Sequence, residues 1–284
     1  MNHILTCTDG SLYAPSIYEH TAWAASRQGA AVHVLHMLDP HRERAELSDF
    51  SGNLGLNTGD ELLTELVNFE ETKNRLARER GKAILEDARR RLEAAGVQRV
   101  TTEQLHGELV ETVTAKEEDA DLVVMGKRGE TADLAKLHLG SNLERVIRAS
   151  IRPVLVASRK FVPIERFLIA YDGGPSVEDA VQFVTASPFL KGLPCHLLRA
   201  GRIDSKAEWY LQEAAAKLRD AEFDVTATAT AGDPAEVISE AVKKDGISLL
   251  VMGAYGHSRI RQLMVGSTTT EMMRTCHVPI LMFR

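Results

Sequence analysis

Short apolar runs recur along this chain, separated by longer segments whose apolar residues return every three or four positions. In the first half the runs His3 to Thr8, Ala31 to Leu38, Arg99 to Leu105, Asp121 to Met125 and Pro153 to Ala157 predict five strands. The intervening segments predict helices over Tyr13 to Gln28, about Asn68 to Ala95, Glu108 to Glu118, and from Gly140-Ser141 onward. In the second of these, Phe69, Leu76, Ala83, Ile84, Ala88 and Leu92 fall at helical spacing, and Gly96 is placed to stop the helix. The order then repeats. Strands are expected near Phe167 to Tyr171, Cys195 to Ala200, Val225 to Ala231, Ser248 to Met252 and Val278 to Phe283. Asp233-Pro234 opens a helix in this half as an N-cap followed by proline at the first helical position. Strands alternating with helices imply parallel sheets covered on both faces. The pattern is that of an α/β chain built twice, with a junction near Lys160 to Glu165.

The repeat extends to a glycine-hydroxyl signature. Near the C-terminus Gly253-Ala254-Tyr255-Gly256 is followed, after nine residues, by Gly266-Ser267-Thr268-Thr269. Near the middle Gly126-Lys127-Arg128-Gly129 is followed, after ten, by Gly140-Ser141-Asn142-Leu143. A strand that ends in glycine and hands over to a helix starting Gly-Ser suits an anion. Glycine lets the backbone approach, and the helix start aims free N–H groups at the ligand. The interval from Asp9 to Gly126 exceeds that from Asp172 to Gly253 by 36 residues, mostly between Pro40 and about Arg75. Its segment from Ser48 to Gly55 is turn-rich, and is either a tolerated surface loop or a lid or partner-binding element.

Composition narrows the class. The chain has 284 residues, which suggests about two domains, each long enough to bury a core. Its formal charge of -6 argues against a broad electrostatic footprint for nucleic acid. No apolar run approaches the roughly 20 residues that span a membrane, and no basic-then-apolar leader is seen. Three distant cysteines, Cys7, Cys195 and Cys276, fit reduced thiols in a cytoplasmic compartment.

Asp9-Gly10-Ser11 and Asp172-Gly173-Gly174 close the first strand of each half, and the long-spaced glycine pairs follow the fourth. Over essentially the whole chain this resembles the universal stress protein family in its tandem two-domain form. The resemblance implies domains over residues 1–160 and 161–284, the first with a degenerate motif and the insertion at about 40–75, the second with an intact motif. It implies two tandem five-stranded parallel sheets of order 3-2-1-4-5 with helices on both faces, Rossmann-like and akin to the adenine nucleotide alpha hydrolases. ATP is expected at the switch point beside strands one and four, where such sheets bind ligands.

Residue by residue, the resemblance assigns Gly253 and Gly256 to the phosphates, with Gly266, Ser267, Thr268 and Thr269 at the helix start and His257 as a further donor. Asp172, beside Gly173, would contact the ribose or a Mg²⁺, and Ala200 would meet the adenine through its backbone. Each residue also has a plain structural role open to it, as a turn glycine or a helix cap. The first half departs from the pattern. Asn142 and Leu143 replace the hydroxyls of Thr268 and Thr269, and Met37 stands where Ala200 does. Lys127 and Arg128 add cations to the glycine turn, as anion ligands or as solvated charges. One ATP site per chain is therefore expected.

Other signals carry less. His33 and His36 lie three apart on a strand and so on opposite faces, which disfavours a shared metal. Cys195-His196 and Cys276-His277 lack zinc-finger spacing. No residue is clearly placed as a base for water attack. The expectation is thus a cytoplasmic stress-response protein that binds ATP as a nucleotide-dependent sensor or regulator, with slow hydrolysis or self-phosphorylation at most. A nucleotide-free scaffold or a carrier of another small ligand is the rival. The fifth strands, with apolar edges Val154-Leu155-Val156 and Ile280-Leu281-Met282, are expected to meet as an intrachain pseudo-dimer. A homodimer and an unidentified protein partner are compatible with this reading; nucleic acid and a membrane span are not.

Overall fold

The computed structural model describes residues 3–38, 59–127, 141–255 and 266–284. The first half comprises β1 (His3–Thr8), α1 (Ala14–Gln28), β2 (Ala31–Leu38), α2 (Gly59–Ala94), β3 (Val100–His106), α3 (Leu109–Lys116), β4 (Leu122–Gly126), α4 (Ser141–Ala149) and β5 (Val154–Ala157). The second comprises β6 (Phe167–Ala170), α5 (Pro175–Ala186), β7 (Cys195–Ala200), α6 (Ser205–Asp220), β8 (Val225–Thr230), α7 (Pro234–Lys244), β9 (Leu249–Gly253), α8 (Ser267–Thr275) and β10 (Ile280–Phe283).

The strands form one ten-stranded sheet in the order β3-β2-β1-β4-β5-β10-β9-β6-β7-β8. Each half keeps the expected order, but the two sheets are continuous rather than separate. They join where β10 pairs antiparallel with β5, Leu281 opposite Leu155 and Met282 opposite Val154. Every other rung is parallel. Joining these apolar strands hides two edges that would otherwise expose unpaired backbone groups.

The pleat sorts the core into two layers. Ile4, Val32, Val34, Leu122, Val124 and Leu155 belong to the layer that also holds the buried residues of α1, α2, α5 and α6. Their neighbours Leu5, Leu35, Val123, Val154 and Val156 face α3, α4, α7 and α8. A parallel strand buried on both faces needs continuous apolar runs, which explains why the runs predicted the strands. Asp233 caps α7, its carboxylate accepting from Ala235 N at 2.9 Å and Glu236 N at 3.2 Å.

Helix α2 corrects the expected boundary. It begins at Gly59 rather than Asn68 and runs for 36 residues, so the latter part of the expected insertion is helical. The turn-rich segment from Ser48 to Gly55 lies outside the described residues.

The junction is held by side chains too. Arg27 of α1 donates to Phe189 O at 2.9 Å and to Lys191 O, and Trp23 meets Phe189 edge-on at 5.0 Å. His20, fully buried on α1, donates through Nδ1 to Ser16 O at 2.7 Å and lies 3.4 Å from the Ser158 hydroxyl. Burial pushes its pKa down to about 4, against a smaller opposing effect of the Ser16 carbonyl.

Candidate functional site

The strand order reverses at β6, which lies between β9 and β7. Beyond the carboxyl end of β6 the chain turns sharply through Asp172-Gly173-Gly174 before Pro175 starts α5. Gly173 sits at φ 77, in the left-handed region that favours glycine. Asp172 is anchored there: its Oδ1 accepts from Gly174 N at 2.8 Å, and its carbonyl accepts from Arg199 at 2.7 Å. Tyr171, just before it, donates its hydroxyl to Glu178; burial first, and that carboxylate second, push the phenol well above its usual range. Ala200 ends β7 beside this turn, two positions past the Ala170–Leu198 rung.

The glycine-hydroxyl element arrives from the other side of the switch. Gly253 ends β9 in register with Phe283, and the site permits no side chain. An added Cβ would lie 2.9 Å from Ser176 Cβ and 3.4 Å from Val177 N, at the start of α5. Gly266 is the N-cap residue of α8 and donates its N–H to Ala254 O at 3.1 Å. The first helical bond then runs from Thr270 N to Gly266 O at 2.8 Å. The amides of Ser267, Thr268 and Thr269 consequently have no carbonyl partner within the helix. An anion placed there would meet the positive end of the helix.

Thr269 also has a structural role. Its hydroxyl donates to Gly253 O at 3.1 Å, and the residue is buried. The side chain fastens the helix start to the end of β9, leaving only its amide for a ligand. Ser267 is exposed and Thr268 half-buried, and both remain at the helix start where the sequence put them. Gly256 and His257 lie outside the described residues.

Three residues that the sequence did not flag complete this arrangement. Arg199 fixes the Asp172 carbonyl, Ser176 presses on Gly253, and Glu178 holds Tyr171. The arginine in strand β7 was the one visible signal. A cleft of about 480 Å³ lies elsewhere, along β7, β8 and α7. There His196 faces Asp245 at 2.9 Å and Thr228 at 2.7 Å, and none of the predicted site residues lines it.

In the first half Asp9 repeats the turn, its Oδ1 accepting from Ser11 N at 3.0 Å. Lys127 does not point into the glycine turn alone; its ammonium donates to Cys276 O across the junction at 2.6 Å. Arg128 lies outside the described residues. His33 and His36 are separated as expected, His33 contacting Thr101 and Glu103, and His36 donating to Thr8 O at 2.9 Å. Among the described residues no group of three or more His, Cys, Asp and Glu side chains is placed to hold a metal ion. Cys7 is buried, which pushes its thiol up to about 12. No described helix is long and apolar enough to cross a membrane.

A doubly wound sheet with the two ends of a glycine-hydroxyl element, Gly253 and Gly266, beside its switch at β6 defines the class, and comparison with known proteins agrees. The model of the Universal stress protein family matches residues 1–158 and 196–284. The chain is 39% identical to universal stress protein Slr1230 of Synechocystis, over the full length of both. It is also 34% identical to universal stress protein MJ0577 of Methanocaldococcus jannaschii, over 55% of this chain and 94% of that one. Among solved structures, a universal stress protein from Archaeoglobus fulgidus superposes with a TM-score of 0.70 at 20% identity. That match covers 99% of this chain and 95% of the other, and its likeness is one of fold. The chain belongs to the universal stress protein family.

Proposed function

We propose that this protein binds ATP in its second half, taken as a domain over residues 161–284, and acts in the stress response as a nucleotide-dependent sensor or regulator. The observation that carries this reading is the double fastening of the loop ends: Gly266 N to Ala254 O at 3.1 Å and Thr269 Oγ1 to Gly253 O at 3.1 Å. These two bonds hold the amide-rich start of α8 beside the end of β9, across the switch point from Asp172. The phosphates are assigned to the amides of Ser267, Thr268 and Thr269, together with Gly253, Gly256, Gly266 and His257. The ribose or a Mg²⁺ is assigned to Asp172 beside Gly173, and the adenine to the Ala200 backbone. Those roles rest on the family resemblance joined to this geometry.

The first half, residues 1–160, serves on this reading as the structural partner in an intrachain pseudo-dimer through β5 and β10. ATP turnover is slow, because the described part of the site offers no unattached base beside the helix start. The Asp172 carboxylate is held by the Gly174 amide.

Mass spectrometry of the protein purified without added nucleotide should find ATP retained. Asp172→Ala and Gly256→Val should each weaken ATP binding at least tenfold by calorimetry. Unchanged affinity in both variants would refute the assignment, and a different bound molecule would favour a carrier.

A further inference from the structure

Helix α2 outruns the sheet it packs on. Its buried positions, Gly81, Leu85, Ala88 and Leu92, form a ladder at helical spacing over β2 and β3. The matching ladder of α6 is Ala207, Leu211, Ala214 and Leu218, and α6 begins only two residues before its ladder does. Helix α2 begins 22 residues before its own. No described residue between Glu65 and Arg80 is buried. Three large apolar side chains stand in solvent on this projection: Val67 at 55% exposure, Phe69 at 60% and Leu76 at 62%. Phe69 and Leu76 are two turns apart and share one face.

Charge on the projection is segregated. Residues 59–72 contain five acidic side chains and no basic one, and residues 73–82 contain five basic and one acidic. The helix dipole does not account for this, since its influence fades within the terminal turns and the basic block lies mid-helix. Within the helix Lys82 pairs with Glu79 at 2.8 Å.

We propose that this projection is a self-association seam, in which α2 of a second copy packs antiparallel about a two-fold axis near Thr72. That alignment sets Phe69 of each copy against Leu76 of the other and Glu70 opposite Arg75. It lays each acidic block along the other's basic block. A two-fold interface must be self-complementary, and a helix with an acidic half and a basic half satisfies that only when antiparallel. A parallel pair would oppose like charges, and an anionic surface would repel the acidic half. The stretch from Glu65 to Arg80 is about 24 Å long, so the seam is short and the dimer weak, forming at micromolar concentrations and loosening with salt.

Sedimentation equilibrium of the full chain at 1–100 μM (on the order of the Kd range of small interfaces) should show a monomer–dimer equilibrium. Phe69→Ser with Leu76→Ser should shift its Kd at least tenfold toward monomer. The triple variants Glu65→Lys/Glu70→Lys/Glu71→Lys and Lys73→Glu/Arg75→Glu/Arg78→Glu should each be monomeric alone yet pair when mixed. Thr72→Cys, at an exposed position, should oxidise to a covalent dimer. Circular dichroism and melting checks that each variant is folded. A wild-type chain that stays monomeric overturns the proposal. So does a dimer indifferent to both charge sets, a mixture that fails to pair, or binding to anionic vesicles by a chain that remains monomeric.

Discussion

The two halves make the same turn after their first strand but cover it differently. In the first, Gly10 adopts φ 68 and an added Cβ would fall 2.4 Å from Ile84 Cδ1 of α2. In the second, the corresponding Gly173 adopts φ 77, and Asp172 anchors the turn by accepting from Gly174 N at 2.8 Å. The buried ladders of the two long helices align Ile84 with Tyr210, which is 39% exposed. One backbone motif therefore serves as a packing floor in the first half, where a longer helix seats an isoleucine on it. Duplication preserved the sheet because its eight inner strands are largely buried on both faces, and left the loops free to diverge.

The contrast is sharpest at His20. Counted from the Pro-Ser that opens each helix, Pro15-Ser16 and Pro175-Ser176, its counterpart in the second half is the equally buried Ala180. Because burial holds the folded-state pKa of His20 at about 4, below the unfolded value near 6.5, the fold binds fewer protons than the unfolded chain between those values. The stability this confers is full above pH 6.5 and is lost as pH falls toward 4, up to about 3 kcal/mol. Denaturant melts from pH 7 to 4 should show that loss, and His20→Phe should flatten it. An unchanged slope in the variant would remove His20 from the account.

Gly10→Ala should cost about 2 kcal/mol through the contact with Ile84 and the positive φ. Adding Ile84→Ala should recover part of that cost. If the double variant is no more stable than the single, Ile84 is not what closes the first turn. Smaller still is Thr269→Val, which leaves the Gly253 carbonyl without its donor at a cost of about 1 kcal/mol in thermal melts. The first half carries Leu143 at the matching position and has no such bond to lose; Leu143→Val should therefore read as a packing change alone, with ATP binding unaltered.

Much of this was legible in the residues. All ten strands were placed to within two residues: apolar runs marked the eight inner ones, since strands buried on both faces allow few polar interruptions, while the more polar edge strands β3 and β8 followed from the repeated order of elements. The repeated glycine spacing marked both ends of the loop after β9. The start of α2 was not legible, because its projecting segment packs on nothing described and so lacks the one-sided periodicity that betrays a helix. Nor was the role of Thr269, whose hydroxyl is equally suited to a ligand or to a carbonyl of the protein. The grip of Arg199 on Asp172 joins residues 27 positions apart, a pairing that only the parallel register of β6 and β7 creates.

The comparison of the halves reduces to how many nucleotides one chain holds. Calorimetric titration of the nucleotide-free protein with ATP should give one site per chain, weakened at least tenfold by Asp172→Ala and untouched by Asp9→Ala. Two sites of similar affinity, or a single site lost through Asp9 rather than Asp172, would contradict the assignment.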